Sequence, residues 1–123
     1  MATVEATKDT FGDLIKSSST VLVDFWAEWC GPCRSFAPTY EEMSEKYPDL
    51  VFAKVDTEDQ PELAGSFNIR SIPTLMVFRD QIILYSQAGA LPPQHLEDLI
   101  DQVKKLDMDE VRRQLDEHSE GEH

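Results

Sequence analysis

Short apolar runs of strand length alternate with helical patterns along this chain, and that alternation leaves few folds open. Residues 20–26 (TVLVDFW) and 50–56 (LVFAKVD) are β-branched and aromatic, as buried strands are. Residues 74–78 (TLMVF) form a third run and 82–85 (IILY) a fourth, with a weaker first strand at 3–6. Helical spacing fills the gaps. Phe11, Leu14 and Ile15 follow Thr7 and Asp9, which are placed to cap a first helix. Phe36, Tyr40, Met43 and Tyr47 mark a second helix that Pro48 stops. A short one spans 61–67, and Pro92-Pro93 open another that buries Leu96, Leu99, Ile100 and Val103. Strands alternating with helices require parallel pairing, while the third and fourth runs are close enough for a hairpin through Arg79-Asp80-Gln81. The expected class is α/β, a mixed sheet of about five strands with helices on both faces. A two-residue turn without glycine is costly, so a different turn type is expected at Asp80-Gln81.

At 123 residues this is one domain with an appendage. Residues 1–106 hold the strand and helix pattern. Residues 107–123 carry seven acidic side chains against Arg112 and Arg113, and a thin apolar stripe of Met108, Val111 and Leu115. Asp107 and Glu110 are spaced as a capping box for a new helix, the alternative being continuation of the previous one. Residues 119–123 are expected to fray.

Charge narrows the partners. With 11 Lys and Arg against 24 Asp and Glu, the formal charge is −13. Such a chain lacks a basic footprint for nucleic acid and a polybasic anchor for lipid. It is expected to be soluble and self-repelling. The first eight residues lack the basic and apolar regions of a signal peptide, and no apolar run approaches a membrane span, so a reducing cytoplasm is the expected location.

Two cysteines make at most one disulfide, and they stand in Trp29-Cys30-Gly31-Pro32-Cys33, between a strand and a helix start. Cysteines at i, i+3 can close and reopen a small ring. A helix N-terminus offers unpaired N–H groups and partial positive charge, which favour a thiolate on Cys30. That thiolate is the nucleophile of thiol–disulfide exchange. Pro32 falls where its missing N–H costs little. Half a metal site is the competing reading, weakened because no second cysteine pair supplies the remaining ligands. Strand alternation puts Leu22, Asp24 and Trp26 on one face. Asp24 is thus a carboxylate inside an apolar run, where desolvation raises its pKa and suits it to proton transfer. Lys54, inside another apolar run, opposes that shift. A purely structural Asp24–Lys54 ion pair is the plainer alternative.

Residues 24–33 (DFWAEWCGPC), Ser71-Ile72-Pro73-Thr74 and Ala88-Gly89-Ala90 together resemble the thioredoxin family over about residues 7–106. The resemblance implies the thioredoxin fold and protein-disulfide reduction. It implies that Cys30 attacks, Cys33 resolves, Asp24 transfers the proton and Lys54 modulates Asp24. It implies a cis peptide bond before Pro73, facing the cysteines, and an Ile72 backbone that pairs with substrate. Trp29, Gly31, Pro32, Ile72, Pro73 and Gly89 are the docking surface it implies. No bound cofactor is expected beyond the redox-active cysteine pair; NADPH enters indirectly, through thioredoxin reductase. The implied partners are that reductase and disulfide-containing client proteins, with the chain itself a monomer. Gly31-Pro32 between the cysteines favours the reducing direction, since oxidising relatives commonly carry histidine before the second cysteine. Arg34 stands where lysine is frequent, and the acidic appendage has no counterpart in a minimal member. A docking module whose thiols are idle is the rival reading.

Overall fold

The computed structural model describes residues 2–121, and side chains as far as residue 117. Five strands, β1 (Thr3–Glu5), β2 (Thr20–Trp26), β3 (Val51–Asp56), β4 (Thr74–Arg79) and β5 (Ile82–Ala88), form one sheet in the order β1-β3-β2-β4-β5. β1, β3 and β2 run parallel; β4 and β5 are antiparallel additions. The helices are α1 (Phe11–Ser17), α2 (Gly31–Lys46), α3 (Pro61–Ser66), α4 (Pro93–Lys105) and α5 (Met108–Gly121). The expected mixed sheet flanked on both faces is what forms. No helix is long and apolar enough to cross a membrane among the described residues.

Alternation along β2 builds two cores. Val21, Val23 and Phe25 face one side and pack with Phe11, Ile15, Val55 and Phe78, joined by Phe67. Leu22 faces the other, with Phe36, Tyr40, Phe52, Leu96 and Ile100. Burying large apolar side chains of this kind contributes about 1.5–3 kcal/mol each. β2 is buried on both faces, which is why its sequence reads as a nearly unbroken apolar run. Asp24 is the exception within it.

The helix starts depart from expectation at α1 and meet it at α5. Neither Thr7 nor Asp9 caps α1 with its side chain. The carbonyl of Thr7 accepts the Phe11 N–H at 2.9 Å instead, because a turn over residues 7–10 feeds directly into the helix. α5 is a new helix: Leu106 is extended, and Asp107 Oδ1 accepts the N–H groups of Asp109 and Glu110 at 3.1 and 3.3 Å. The helix runs to Gly121; of the segment 119–123 expected to fray, 122 and 123 lie outside the described residues.

The β4–β5 connection corrects the sequence reading. Asp80 and Gln81 have φ of 52° and 68°, both in the left-handed region, so the turn is the tight two-residue type after all. Its twist matches the strands, and neighbours hold it. The Asp80 N–H donates to the Ser19 carbonyl at 2.8 Å, and Arg112 of α5 reaches Asp80 Oδ2 at 3.0 Å. Beside it, Arg79 donates to the Val103 and Leu106 carbonyls at 2.6 and 3.0 Å, capping the end of α4. A β-branched-free glutamine still carries the cost of a Cβ in that conformation. Gln81→Gly is therefore expected to stabilise the protein by about 1 kcal/mol, read as a higher urea midpoint at unchanged slope.

Candidate active site

β2 ends at Trp26, and the chain turns through Ala27, Glu28 and Trp29 into α2. Cys30 is the N-cap of that helix, and its sulfur accepts the Cys33 N–H at 3.2 Å. Pro32 lies in the first turn, where no N–H is missed. Cys30 and Cys33 are joined in a disulfide, with Cα atoms 5.2 Å apart. Both are buried in this oxidised form, Cys30 at 4 % and Cys33 at 2 % exposure. When the pair is reduced, the helix N-terminus faces the Cys30 sulfur and favours its anion.

The sheet supplies the opposite wall. The Ile72–Pro73 bond is cis, as the resemblance implied, and the Ile72 carbonyl oxygen lies 3.7 Å from Cys30 Sγ. Gly89 has φ of 109°, a conformation that disfavours a side chain, and its N–H donates to the Pro73 carbonyl at 2.7 Å. This draws the end of β5 against the loop before β4. Trp29 is 65 % exposed beside the disulfide, with Gly31 and Pro32 also exposed. A cleft of about 190 Å³ lies next to it, lined by Trp29, Thr57, Ala64, Ile69, Arg70 and Ile72.

Two contacts here were not legible in the sequence. The Trp29 indole N–H donates to Glu58 Oε1 at 2.6 Å, across a gap of 29 residues. Tyr40 donates its hydroxyl to the Ala53 carbonyl at 2.8 Å while fully buried. No local pattern marks either one; both depend on how loops and helices meet in space. Arg34 is held by the Glu28 carbonyl at 3.1 Å.

Asp24, on β2 two residues before Trp26, is 1 % exposed, with both carboxylate oxygens buried and unpartnered. Burial pushes its pKa up to about 7, against the opposing charge of Lys54. Lys54 is its register partner on β3, yet its ammonium stands over the Trp26 ring, 4.6 Å from the centroid. The simple ion pair weighed as an alternative is not what forms. Burial, and then the Asp24 charge, raise the Tyr40 phenol well above its ordinary value. Among the described residues no group of three or more His, Cys, Asp or Glu side chains is placed to hold a metal ion. The cysteine pair is set to exchange a disulfide at the mouth of a helix, and Asp24 is a buried carboxyl that titrates near neutrality.

Known proteins agree with this geometry. The family model described as thioredoxin matches residues 2–102. The chain is 57 % identical over 116 residues to "Putative thioredoxin 2" of Streptomyces coelicolor, covering 94 % of this chain and 87 % of that one. It is 46 % identical over 90 residues to thioredoxin 1 of Synechococcus elongatus, covering 72 % and 84 %. Among solved structures, Plasmodium falciparum thioredoxin is similar with a TM-score of 0.75 and 37 % identity, covering 81 % of this chain and 97 % of that one. By sequence, fold and the cysteine pair at the head of α2, the chain belongs to the thioredoxin family of protein-disulfide oxidoreductases.

Proposed function

We propose that the protein reduces disulfides in client proteins by dithiol–disulfide exchange. The observation that carries this is the Cys30–Cys33 disulfide at the N-terminus of α2, its Cys30 sulfur 3.7 Å from the Ile72 carbonyl oxygen. In the reduced enzyme the Cys30 thiolate attacks one sulfur of the client disulfide. A mixed disulfide forms and the other client sulfur leaves as a thiolate, which takes a proton from water. Asp24 accepts the proton of Cys33, and the Cys33 thiolate attacks Cys30. The second client sulfur leaves, and the enzyme is left in the oxidised form described above. Two electrons pass from enzyme to client.

Trp29, Gly31, Pro32, Ile72, Pro73 and Gly89 form the docking surface in this reading, with the Ile72 backbone pairing to an extended client segment. Lys54 tempers Asp24. Thioredoxin reductase, drawing on NADPH, restores the dithiol, and the enzyme works as a monomer in a reducing cytoplasm. The catalytic domain is residues 1–106; the break at Leu106 and the family match ending at residue 102 support that boundary, with 107–123 an acidic appendage.

The test is insulin reduction. The protein is expected to accelerate disulfide cleavage by dithiothreitol, and to consume NADPH when a flavin-containing thioredoxin reductase replaces dithiothreitol. No acceleration with dithiothreitol overturns the activity. Acceleration without NADPH consumption overturns only the assigned reductant.

A further inference from the structure

Lys54 has two candidate partners and takes the less obvious one. It sits directly across from Asp24 in the parallel β2–β3 register, on a strand spacing of about 4.8 Å. A four-carbon stem spans that gap easily. Yet both Asp24 oxygens lack a hydrogen-bond partner, and the ammonium lies over Trp26, one step further along the same face of β2. Trp26 is half-buried, and with Ile72 it packs against the buried cluster of Ala27, Cys30 and Cys33. One residue therefore packs on the cluster that holds the cysteine pair, and its ring carries the cation set opposite Asp24 in the register.

We propose that Trp26 is a positioning residue: by holding the Lys54 ammonium on its ring, it keeps the cation off Asp24 and leaves that carboxyl able to take a proton. This rests on the role given to Asp24 above. Indole is the strongest of the aromatic faces for a cation, and the attraction grows when the cation is shielded from water. Lys54 lines a pocket of about 90 Å³ with Glu5, Trp26, Asp56 and Asp59, so it is only half-buried and its charge is tolerated there. Without the ring, the same ammonium would turn to the unpartnered carboxylate. A direct pair would hold Asp24 ionised, and a carboxylate already ionised at low pH is a poor store for a transferred proton.

The other groups around this pair are few. From α2 comes Tyr40; around Lys54 stand Glu5 on β1, Asp56 on β3 and Asp59 in the next loop. β4 sets apolar Leu75 opposite Asp24, and α4 brings apolar Leu96 and Ile100 to this face. None of these offers a second mobile cation.

The experiment is a carboxyl-carbon NMR titration of Asp24 in the oxidised full-length protein, which reads its protonation without turnover. In Trp26→Leu the midpoint is expected to fall by about one to two pH units as Lys54 pairs with Asp24. Trp26→Phe keeps the site filled and offers a weaker face, so a smaller fall in the same direction is expected. Lys54→Met raises the midpoint, and Trp26→Leu/Lys54→Met is expected to coincide with Lys54→Met alone. The proposal is overturned if the Trp26 variants leave the midpoint unchanged or raise it. It is equally overturned if the double variant still falls below Lys54→Met, since the effect would then not pass through Lys54. The role of Asp24 in turnover is read separately, from the pH–rate profile of Asp24→Asn. A failed titration beside an altered profile removes only the positioning role of Trp26; an unaltered profile removes the reading it rests on.

Discussion

Cys33→Ser is expected to convert the enzyme into a trap that attacks once and holds its client. Cys30 keeps its place at the helix N-cap, so the first exchange proceeds. The serine hydroxyl cannot reopen the mixed disulfide, because an alcohol at that position is neither ionised nor a sulfur nucleophile. Insulin reduction with dithiothreitol or reductase should fall to near the uncatalysed rate, while non-reducing electrophoresis shows a protein–insulin adduct that dithiothreitol dissolves. Cys30→Ser should lose both turnover and adduct. The asymmetry is the point of the pair of variants, since both sulfurs are buried in the oxidised form and exposure alone does not rank them. An adduct formed by Cys30→Ser instead of Cys33→Ser would reverse the assignment. Adducts with neither, beside an active wild type, would remove the covalent mechanism.

Asp24→Asn is expected to change stability more than any other single polar substitution in the sheet. Folding moves the Asp24 pKa from an ordinary 3.8 up to about 7, chiefly through desolvation. The folded state therefore holds a proton that the unfolded chain has already released between these values. Stability falls as pH rises through that window and levels off above it. At about 1.4 kcal/mol per unit, the loss amounts to about 4 kcal/mol. The asparagine variant carries no such slope. It should match the wild type near pH 4 and exceed it by about 4 kcal/mol at pH 8, measured by urea unfolding at each pH. Its turnover should meanwhile slow at neutral pH, as the site loses its proton acceptor. Parallel stability profiles for the two proteins would show that Asp24 ionises freely in the fold, and would remove the basis for its role.

How much of this was legible in the sequence depends on distance along the chain. The alternation of strands and helices, the buried carboxylate and the cysteine pair are local patterns, and each appears where its residues put it. The cis bond before Pro73 came from the family resemblance, because local sequence favours trans. What stayed hidden was contact between remote segments. Trp29 meets Glu58 because the loop after β3 crosses the head of α2. Asp80 and Gln81 adopt the glycine-like turn because Ser19 and Arg112 grip it from elsewhere. Lys54 was correctly expected to oppose the shift of Asp24, but its perch on Trp26 depends on a choice between two neighbours on one face.

The strand directions give the molecule two poles. β2 ends, and β4 begins, beside the dithiol; at their other ends lie Thr20, Arg79 and the tight turn. Six or seven residues of strand separate the two, about 20 Å. α5 is fastened at that far pole, through Arg112 on Asp80 and the Arg79 cap beneath Leu106. The appendage is thus a handle set behind the blade. Changes in its length or charge fall at the pole away from the disulfide and the cleft beside Trp29.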